Sequence, residues 1–220
     1  MEFFIDTADL EQIKIAHSMG ILDGVTTNPS LMSTIGIKGK KQIMKHYLDI
    51  CSIVDGPVSA EVLSTDYKGM VSEGEELNDL HRNIIVKLPM TQDGVKAIRH
   101  LSNMGIRTNC TLVFSVGQAL VAAKAGATYV SPFVGRLDDV SSDGLSLIKE
   151  IKQVYLNYDK CQLDTKILAA SIRNQMHIIN CAKIGADVIT APLNVLQSLI
   201  NHPLTDIGMN KFIEDTKKFI

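Results

Sequence analysis

The sequence repeats one unit along its length: an amphipathic stretch, a glycine, and within a few residues a short apolar run. The unit stands out at Gly20 before Ile21-Leu22-Asp23-Gly24-Val25 and at Gly105 before Ile106-Arg107-Thr108. It returns at Gly126 before Ala127-Thr128-Tyr129-Val130 and at Gly185 before Ala186-Asp187-Val188-Ile189. A glycine just past a helix end takes the left-handed conformation that side chains disfavour, and the run after it reads as a parallel strand. Eight apolar runs can be counted, near 2–6, 22–26, 58–63, 84–88, 106–112, 128–131, 166–170 and 187–190. Helical patterns fill the intervals near 8–19, 40–52, 67–81, 92–103, 115–125, 143–156, 174–184 and 193–201. Ser115 with Gln118 three residues on predicts a capping box at the start of one of them. Eight βα units in 220 residues predict a closed (β/α)8 barrel rather than an open doubly wound sheet.

No linker or shift of composition divides residues 1–220, which read as a single domain. The last segment, 206–220, is an extra helix whose Phe212, Ile213, Thr216, Phe219 and Ile220 fall roughly on one face. Such a helix can cap the barrel or pack on another subunit. A hydrophobic content of 45% is ordinary for a globular domain with a real core. The net charge of −2 and the lack of a basic block argue against nucleic acid as the main partner. Cys51, Cys110, Cys161 and Cys181 are far apart in sequence, the usage of a reducing compartment with small buried thiols.

The opening residues show no signal-peptide pattern, and the most apolar stretch, 111–130, is interrupted by Gln118, Lys124 and two glycines. A soluble cytoplasmic protein, away from membranes, is expected. The six histidines form no His-x-x-x-His pair, so no metal is indicated, and His17, His46, His81 and His100 read as solvent or boundary residues of helical segments. Gly36-Ile37-Lys38-Gly39-Lys40-Lys41 lacks the spacing and the hydroxyl residue of a P-loop and reads as a basic, solvated loop.

In parallel barrels the chemistry sits at the C-terminal ends of the strands. The fourth strand carries Lys87 within Ile84-Ile85-Val86-Lys87-Leu88-Pro89, a run that reads as fully buried. Burial disfavours the ammonium form, which predicts a pKa below the usual ~10.4 and an amine able to form a Schiff base. The alternative is a lysine that snorkels past the strand end or pairs with a carboxylate. Around it the other strand ends are polar: Asp6, Thr26 with Asn28, Glu61, Asn109 with Thr111, Ser131 to Arg136, and Ser171 with Arg173.

Each has a plainer reading. Asp6 can cap the first helix, Arg136 can pair with Asp138 or Asp139, and Glu61 can simply hold Lys87 charged. Together they suit a phosphorylated sugar whose carbonyl meets Lys87, with Asp6 and Glu61 trading protons and hydroxyls and amides holding a polyol. Arg136 and Arg173 suit the phosphate.

Six segments carry a family resemblance. They are Phe4-Ile5-Asp6-Thr7-Ala8-Asp9, Gly24-Val25-Thr26-Thr27-Asn28-Pro29-Ser30, Val86-Lys87-Leu88-Pro89-Met90-Thr91, Asn109-Cys110-Thr111-Leu112, Ser131-Pro132-Phe133-Val134-Gly135-Arg136 and Ala169-Ala170-Ser171-Ile172-Arg173. Over essentially its whole length the chain resembles the short bacterial and archaeal transaldolases, relatives of the fructose-6-phosphate aldolases. The resemblance implies a cofactor-free mechanism in which Lys87 forms a Schiff base with the C2 ketone of fructose 6-phosphate or sedoheptulose 7-phosphate. It implies that Asp6 takes the C4 hydroxyl proton, and that Glu61 shuttles protons through a water held with Thr111.

By the same resemblance Asn28, Asn109 and Ser131, with Thr26 nearby, hold the dihydroxyacetone fragment. Arg136, Arg173 and Ser171 grip phosphate, and the acceptor is an aldose phosphate such as erythrose 4-phosphate or glyceraldehyde 3-phosphate. Glu61 and Phe133 match the transaldolase branch, whereas the aldolase branch has glutamine and tyrosine at those two positions. The resemblance further implies a homo-oligomer, a decamer of two pentamers with the C-terminal helix on a neighbouring subunit. Cys110, pointing away from the pocket by strand alternation, is expected to be a packing thiol. A fructose-6-phosphate aldolase and a barrel that binds sugar phosphates without turnover stand as alternatives.

Overall fold

All four glycines of the repeated unit take positive φ: 72° at Gly20, 77° at Gly105, 91° at Gly126 and 87° at Gly185. Each turns the chain from a helix towards the next strand. The computed structural model describes residues 1–158 and 163–219, and in it eight parallel strands close into a barrel in sequence order. The strands are β1 (Glu2–Asp6), β2 (Gly24–Thr26), β3 (Val58–Glu61), β4 (Ile84–Pro89), β5 (Thr108–Val113), β6 (Tyr129–Pro132), β7 (Lys166–Ala169) and β8 (Val188–Ala191). The expected (β/α)8 barrel is therefore the fold.

Helices α1 (Leu10–Ser18), α3 (Lys40–Ile53), α4 (Tyr67–Asn78), α5 (Gln92–Asn103), α6 (Val116–Lys124), α8 (Gly144–Tyr155), α9 (Gln175–Ile184) and α10 (Leu193–Ser198) fall where the periodicity places them. Two short helices were not legible, α2 (Pro29–Thr34) and α7 (Val134–Asp138). Both start directly at a polar strand end. Asn28 accepts a hydrogen bond from the Leu31 N–H at 2.9 Å and Pro29 opens α2, so residues that read as a site loop also begin a helix. The extra helix α11 (Pro203–Thr216) starts three residues before 206, behind an N-cap at His202. Ile220 and Cys161 lie outside the described residues.

The expected cap at Ser115 forms, its Oγ accepting from the Gln118 N–H at 3.2 Å. The Gln118 side chain, however, reaches the Phe114 N–H at 2.7 Å and not that of Ser115. His46 departs from expectation: it is buried, with Nε2 2.7 Å from the Ala8 carbonyl, and ties α3 to the segment after β1. His81 lies just past the end of α4. No helix among the described residues is long and apolar enough to cross a membrane.

The strands are hydrophobic on both faces because each face has a core of its own. Outward residues such as Val25, Val58, Val86, Val130, Ile167 and Ile189 pack under the helices, each fully buried side chain contributing about 1.5–3 kcal/mol. Cys110 belongs to this outer core, fully buried, its thiol pushed up to about 12 by burial, and so is the packing thiol expected. Inward residues Phe4, Ile85, Tyr129, Leu168 and Val188 form a plug inside the barrel, with the Phe4 ring edge-on to Tyr129 at 6.2 Å. Gly24 makes room for that plug: a Cβ there would stand 2.7 Å from Phe4 Cε1 and 2.7 Å from the Pro57 carbonyl.

Two residues beyond an inward position, a strand side chain points inward again. Stepping by two from the plug gives Asp6 after Phe4, Thr26 after Gly24, Lys87 after Ile85, Ser131 after Tyr129 and Thr190 after Val188. The apolar floor thus carries a polar layer directly above it.

Candidate active site

The polar layer lies in one register. Asp6 pairs with Thr26 across β1 and β2, Glu61 with Lys87 across β3 and β4, and Lys87 with Asn109 across β4 and β5. It opens at the C-terminal mouth into a cavity of about 110 Å³. Its lining includes Asp6, Thr26, Asn28, Lys87, Thr111, Ser131, Phe133, Arg136 and Ser171, nine of the twelve residues singled out from sequence. A wider groove on the outer wall, lined by Tyr67, Val95, Arg99 and Val121, lies away from these strand ends.

Lys87 is buried, 6% exposed, and its Nζ is held from two sides. It donates to the Thr27 carbonyl at 3.0 Å and lies 3.1 Å from Glu61 Oε2. Pairing with a carboxylate is thus the arrangement found, and an opposite charge at such range offsets much of the hydration lost on burial. The same contact is within reach for proton transfer between the two groups.

Asp6 is freed from the capping role it could have had, because Asp9 caps α1 through Oδ1, which accepts from Glu11 N–H at 2.9 Å and Gln12 N–H at 3.4 Å. Asp6 instead accepts from Thr26 Oγ1 at 2.7 Å, and Thr26 Oγ1 lies 2.6 Å from Thr190 Oγ1. Burial holds the Asp6 carboxyl above its ordinary range, against the opposing pull of the Lys87 charge and the Thr26 hydroxyl.

The remaining residues divide by what they touch. Asn109 is fully buried and does not line the cavity. Its Nδ2 donates to Ser59 Oγ at 3.2 Å and its Oδ1 accepts from Ser131 Oγ at 2.8 Å, so it acts as a girder beneath the site. Asn28 uses Oδ1 as the α2 cap, which leaves its Nδ2 as the donor available to the cavity. Among the described residues Thr111 Oγ1 is buried without a hydrogen-bond partner, although it lines the cavity. The adjacent Leu112 sits at φ 60° where the β5–β6 register shifts between Cys110 and Val113. A leucine held left-handed costs roughly 1–2 kcal/mol, strain stored beside the cavity wall.

At the rim, Arg136 lies over the Phe133 ring with Cζ 4.9 Å from its centroid, and Phe133 packs against Phe114 at 5.7 Å. Cation–π contact therefore positions the guanidinium that sequence left free to pair with an aspartate. Arg173 makes that pairing instead. Its guanidinium forks on to Asp139, with Nη2 to Oδ2 at 2.5 Å, and it does not line the cavity. Gly135 permits the arrangement, since a Cβ there would stand 2.6 Å from Arg173 Nε and 2.5 Å from the Ser171 carbonyl. Ser171 itself takes φ 57°, turning the chain at the end of β7 so that its carbonyl accepts the Gly135 N–H at 3.0 Å.

Sequence reasoning missed Thr190, Ser59, Thr27 and Tyr47. Thr190 had a signal, the same two-residue step from an apolar floor residue that marks Asp6 and Lys87. Thr27 acts through its main chain, and Tyr47 reaches the site from a helix, so neither leaves a strand pattern. Among the described residues, no three His, Cys, Asp or Glu side chains gather as a metal ion would need.

A parallel barrel that gathers a lysine–carboxylate pair and a separate buried carboxyl at its C-terminal mouth has the layout of a barrel enzyme. The comparisons give the particular kind. Residues 3–219 match the Transaldolase/Fructose-6-phosphate aldolase family, to which the chain belongs, and it is an enzyme of the transaldolase type. It is 63% identical over 218 residues to a "Probable transaldolase" of Cytophaga hutchinsonii, covering 99% of both chains. Identity is 62% to one from Phocaeicola vulgatus, again covering 99% of both, and 60% to one from Porphyromonas gingivalis, covering 99% and 98%. Among solved structures, an inosine 5′-monophosphate dehydrogenase from Legionella pneumophila shares the fold alone. Its TM-score is 0.61 at 14% identity, over 89% of this chain and 58% of that longer one.

Proposed function

We propose that the enzyme moves a dihydroxyacetone unit from a ketose phosphate, fructose 6-phosphate or sedoheptulose 7-phosphate, to an aldose phosphate through a Schiff base on Lys87. The observation that carries this reading is Lys87 Nζ at the cavity wall, 3.1 Å from Glu61 Oε2. Proton transfer to Glu61 gives a neutral amine that attacks the C2 carbonyl, and loss of water leaves the iminium. Asp6 takes the proton of the C4 hydroxyl. The C3–C4 bond breaks, its electrons pass into the enamine, and the aldose phosphate departs. The enamine then adds to the acceptor aldehyde, Asp6 returns its proton to the new hydroxyl, and water added to the iminium frees the product ketose.

Thr111, a residue of the cavity wall with an unpartnered hydroxyl, suits the water that enters and leaves beside Glu61. Asn28 Nδ2 and Ser131 suit the hydroxyls of the retained fragment, with Asn109 holding Ser131. Arg136 and Ser171 suit the phosphate, and Arg173 joins them by exchanging Asp139 for phosphate oxygens. The reading needs no dissociable cofactor, and the free, buried thiols of Cys51, Cys110 and Cys181 support a reducing, cytoplasmic setting within the non-oxidative pentose phosphate pathway.

Phe133 favours transfer over simple cleavage, because an apolar ring at the cavity wall offers no proton to help water release the fragment. The test is release of glyceraldehyde 3-phosphate from fructose 6-phosphate with and without erythrose 4-phosphate. Sustained release only with the acceptor is expected. Equal release without it would make the enzyme an aldolase, and no trappable adduct on Lys87 after borohydride would overturn the Schiff base.

The assembly proposed is a homo-oligomer, a decamer of two pentamers, joined through α11. That helix has no buried residue, while Leu204, Ile207, Met209, Phe212 and Ile213 are all more than half exposed. Apolar surface of this extent asks for a cover. Sedimentation of the chain lacking residues 203–220 should show smaller species than the intact chain; identical distributions would remove α11 from the interface.

A further inference from the structure

Resting on the Schiff-base reading, we propose that Tyr47 is a positioning residue for Lys87, its hydroxyl fixing the two groups between which the reacting amine is held.

The barrel has a seam between β2 and β3, where the ladder is short. The β2–β3 ladder pairs Val25 with Val58 and Thr26 with Ser59, and ends with the Thr27 N–H donating to the Ser59 carbonyl at 3.4 Å. Beyond Ser59, β3 has no β2 partner, yet it must still deliver Glu61 to Lys87. A strand N–H at that height needs an acceptor. The phenol of Tyr47 supplies it: the Glu61 N–H donates to Tyr47 Oη at 3.2 Å. On its other side Tyr47 Oη lies 3.5 Å from Thr27 Oγ1, at the long limit of a hydrogen bond.

These two neighbours are the two partners of the amine. Lys87 Nζ touches the Thr27 carbonyl at 3.0 Å and Glu61 Oε2 at 3.1 Å. Tyr47 therefore bridges the seam from behind, joining the residue that orients the Lys87 proton to the residue that receives it. Its hydroxyl bonds to Thr27 and Glu61 rather than to Lys87, and Tyr47 does not line the cavity.

Its ring is anchored independently of the hydroxyl. Tyr47 is 2% exposed on the inward face of α3, in the same outer core as Ile50. Burial pushes its ionisation upward, which keeps the phenol neutral and avoids placing a second negative charge behind Glu61. Removing only the hydroxyl leaves the packing in place and opens the seam.

The experiment compares Tyr47→Phe with Ile50→Val, a packing change on the same helix face that leaves the hydroxyl intact. Steady-state transfer from fructose 6-phosphate to erythrose 4-phosphate is measured alongside the rate at which borohydride-trappable adduct appears on Lys87. For Tyr47→Phe, kcat and the trapping rate should fall about 10- to 100-fold, the scale of a misplaced reacting group, with the donor KM close to that of the parent. Ile50→Val should leave both rates within about twofold even where its melting temperature drops. Unchanged trapping and kcat in Tyr47→Phe, or an equal loss in Ile50→Val, overturns the proposal. Absence of adduct in the parent enzyme overturns the Schiff-base reading itself, and the proposal with it.

Discussion

Replacing Lys87 with methionine is expected to lower transfer by roughly 10⁵- to 10⁶-fold, the scale of losing a covalent nucleophile. Methionine keeps most of the aliphatic stem inside the barrel, so the apolar packing above Ile85 survives. Two polar groups lose a partner: the Thr27 carbonyl its donor and Glu61 its counter-charge. Glu61 keeps 15% of its side chain exposed, which moderates the penalty to about 1–3 kcal/mol, small enough for a folded variant. Melting temperature and residual rate are therefore separable readouts. The outcome that matters is their divergence, a modest loss of stability beside a near-total loss of turnover. A lysine serving only as counter-ion to Glu61 would give the reverse pattern, with Lys87→Met combined with Glu61→Gln recovering both stability and rate. Full turnover in Lys87→Met would sink the mechanism.

The barrel was legible because its signals are local and repeated. Glycines at 20, 105, 126 and 185 each announce a helix end, and each takes the left-handed φ required. The polar layer was legible because strands alternate, so a Lys or Asp amid apolar residues must face the interior or break the fold. What escaped depends on long-range geometry. That α2 and α7 begin at the very residues that ring the mouth cannot be seen in a stretch of six or five residues. The choice between Arg136 and Arg173 for the aspartate was decided by Phe133 and Gly135. An aromatic face holds one guanidinium, and the missing Cβ lets the other lie against α7. The ion pair of Lys87 with Glu61 appeared in the sequence only as one of two possibilities, because register across β3 and β4 is a property of the closed sheet.

Changing Asp6 to asparagine should separate two consequences of one buried carboxyl. Asparagine is close in shape, and its Oδ1 can still accept from Thr26 Oγ1, so the Thr190–Thr26 relay is kept. It cannot take a proton from the C4 hydroxyl. Transfer should fall about 10²- to 10⁴-fold, the usual loss for a missing general base. Imine formation depends on Lys87 and Glu61 and should persist. Borohydride would then fix the intact ketose phosphate on Lys87 where the parent enzyme yields the dihydroxyacetone fragment.

Stability should move the other way. Burial raises the Asp6 pKa above its ordinary 3.8, so between that value and the folded pKa the native state binds more protons than the unfolded chain. Stability then falls as pH rises through this window. Well above 3.8, folding must either protonate Asp6 or bury its charge, a cost that asparagine does not carry. The substitution should therefore raise the melting temperature near neutral pH. The gain should shrink as pH falls through 3.8, below which Asp6 is protonated in both states. A higher melting temperature at neutral pH, a fixed ketose phosphate adduct and a failing transfer rate would together identify Asp6 as strain kept for its proton. A dihydroxyacetone adduct accumulating at the parent rate in Asp6→Asn would place the base elsewhere and leave Asp6 a structural burden without a catalytic reason.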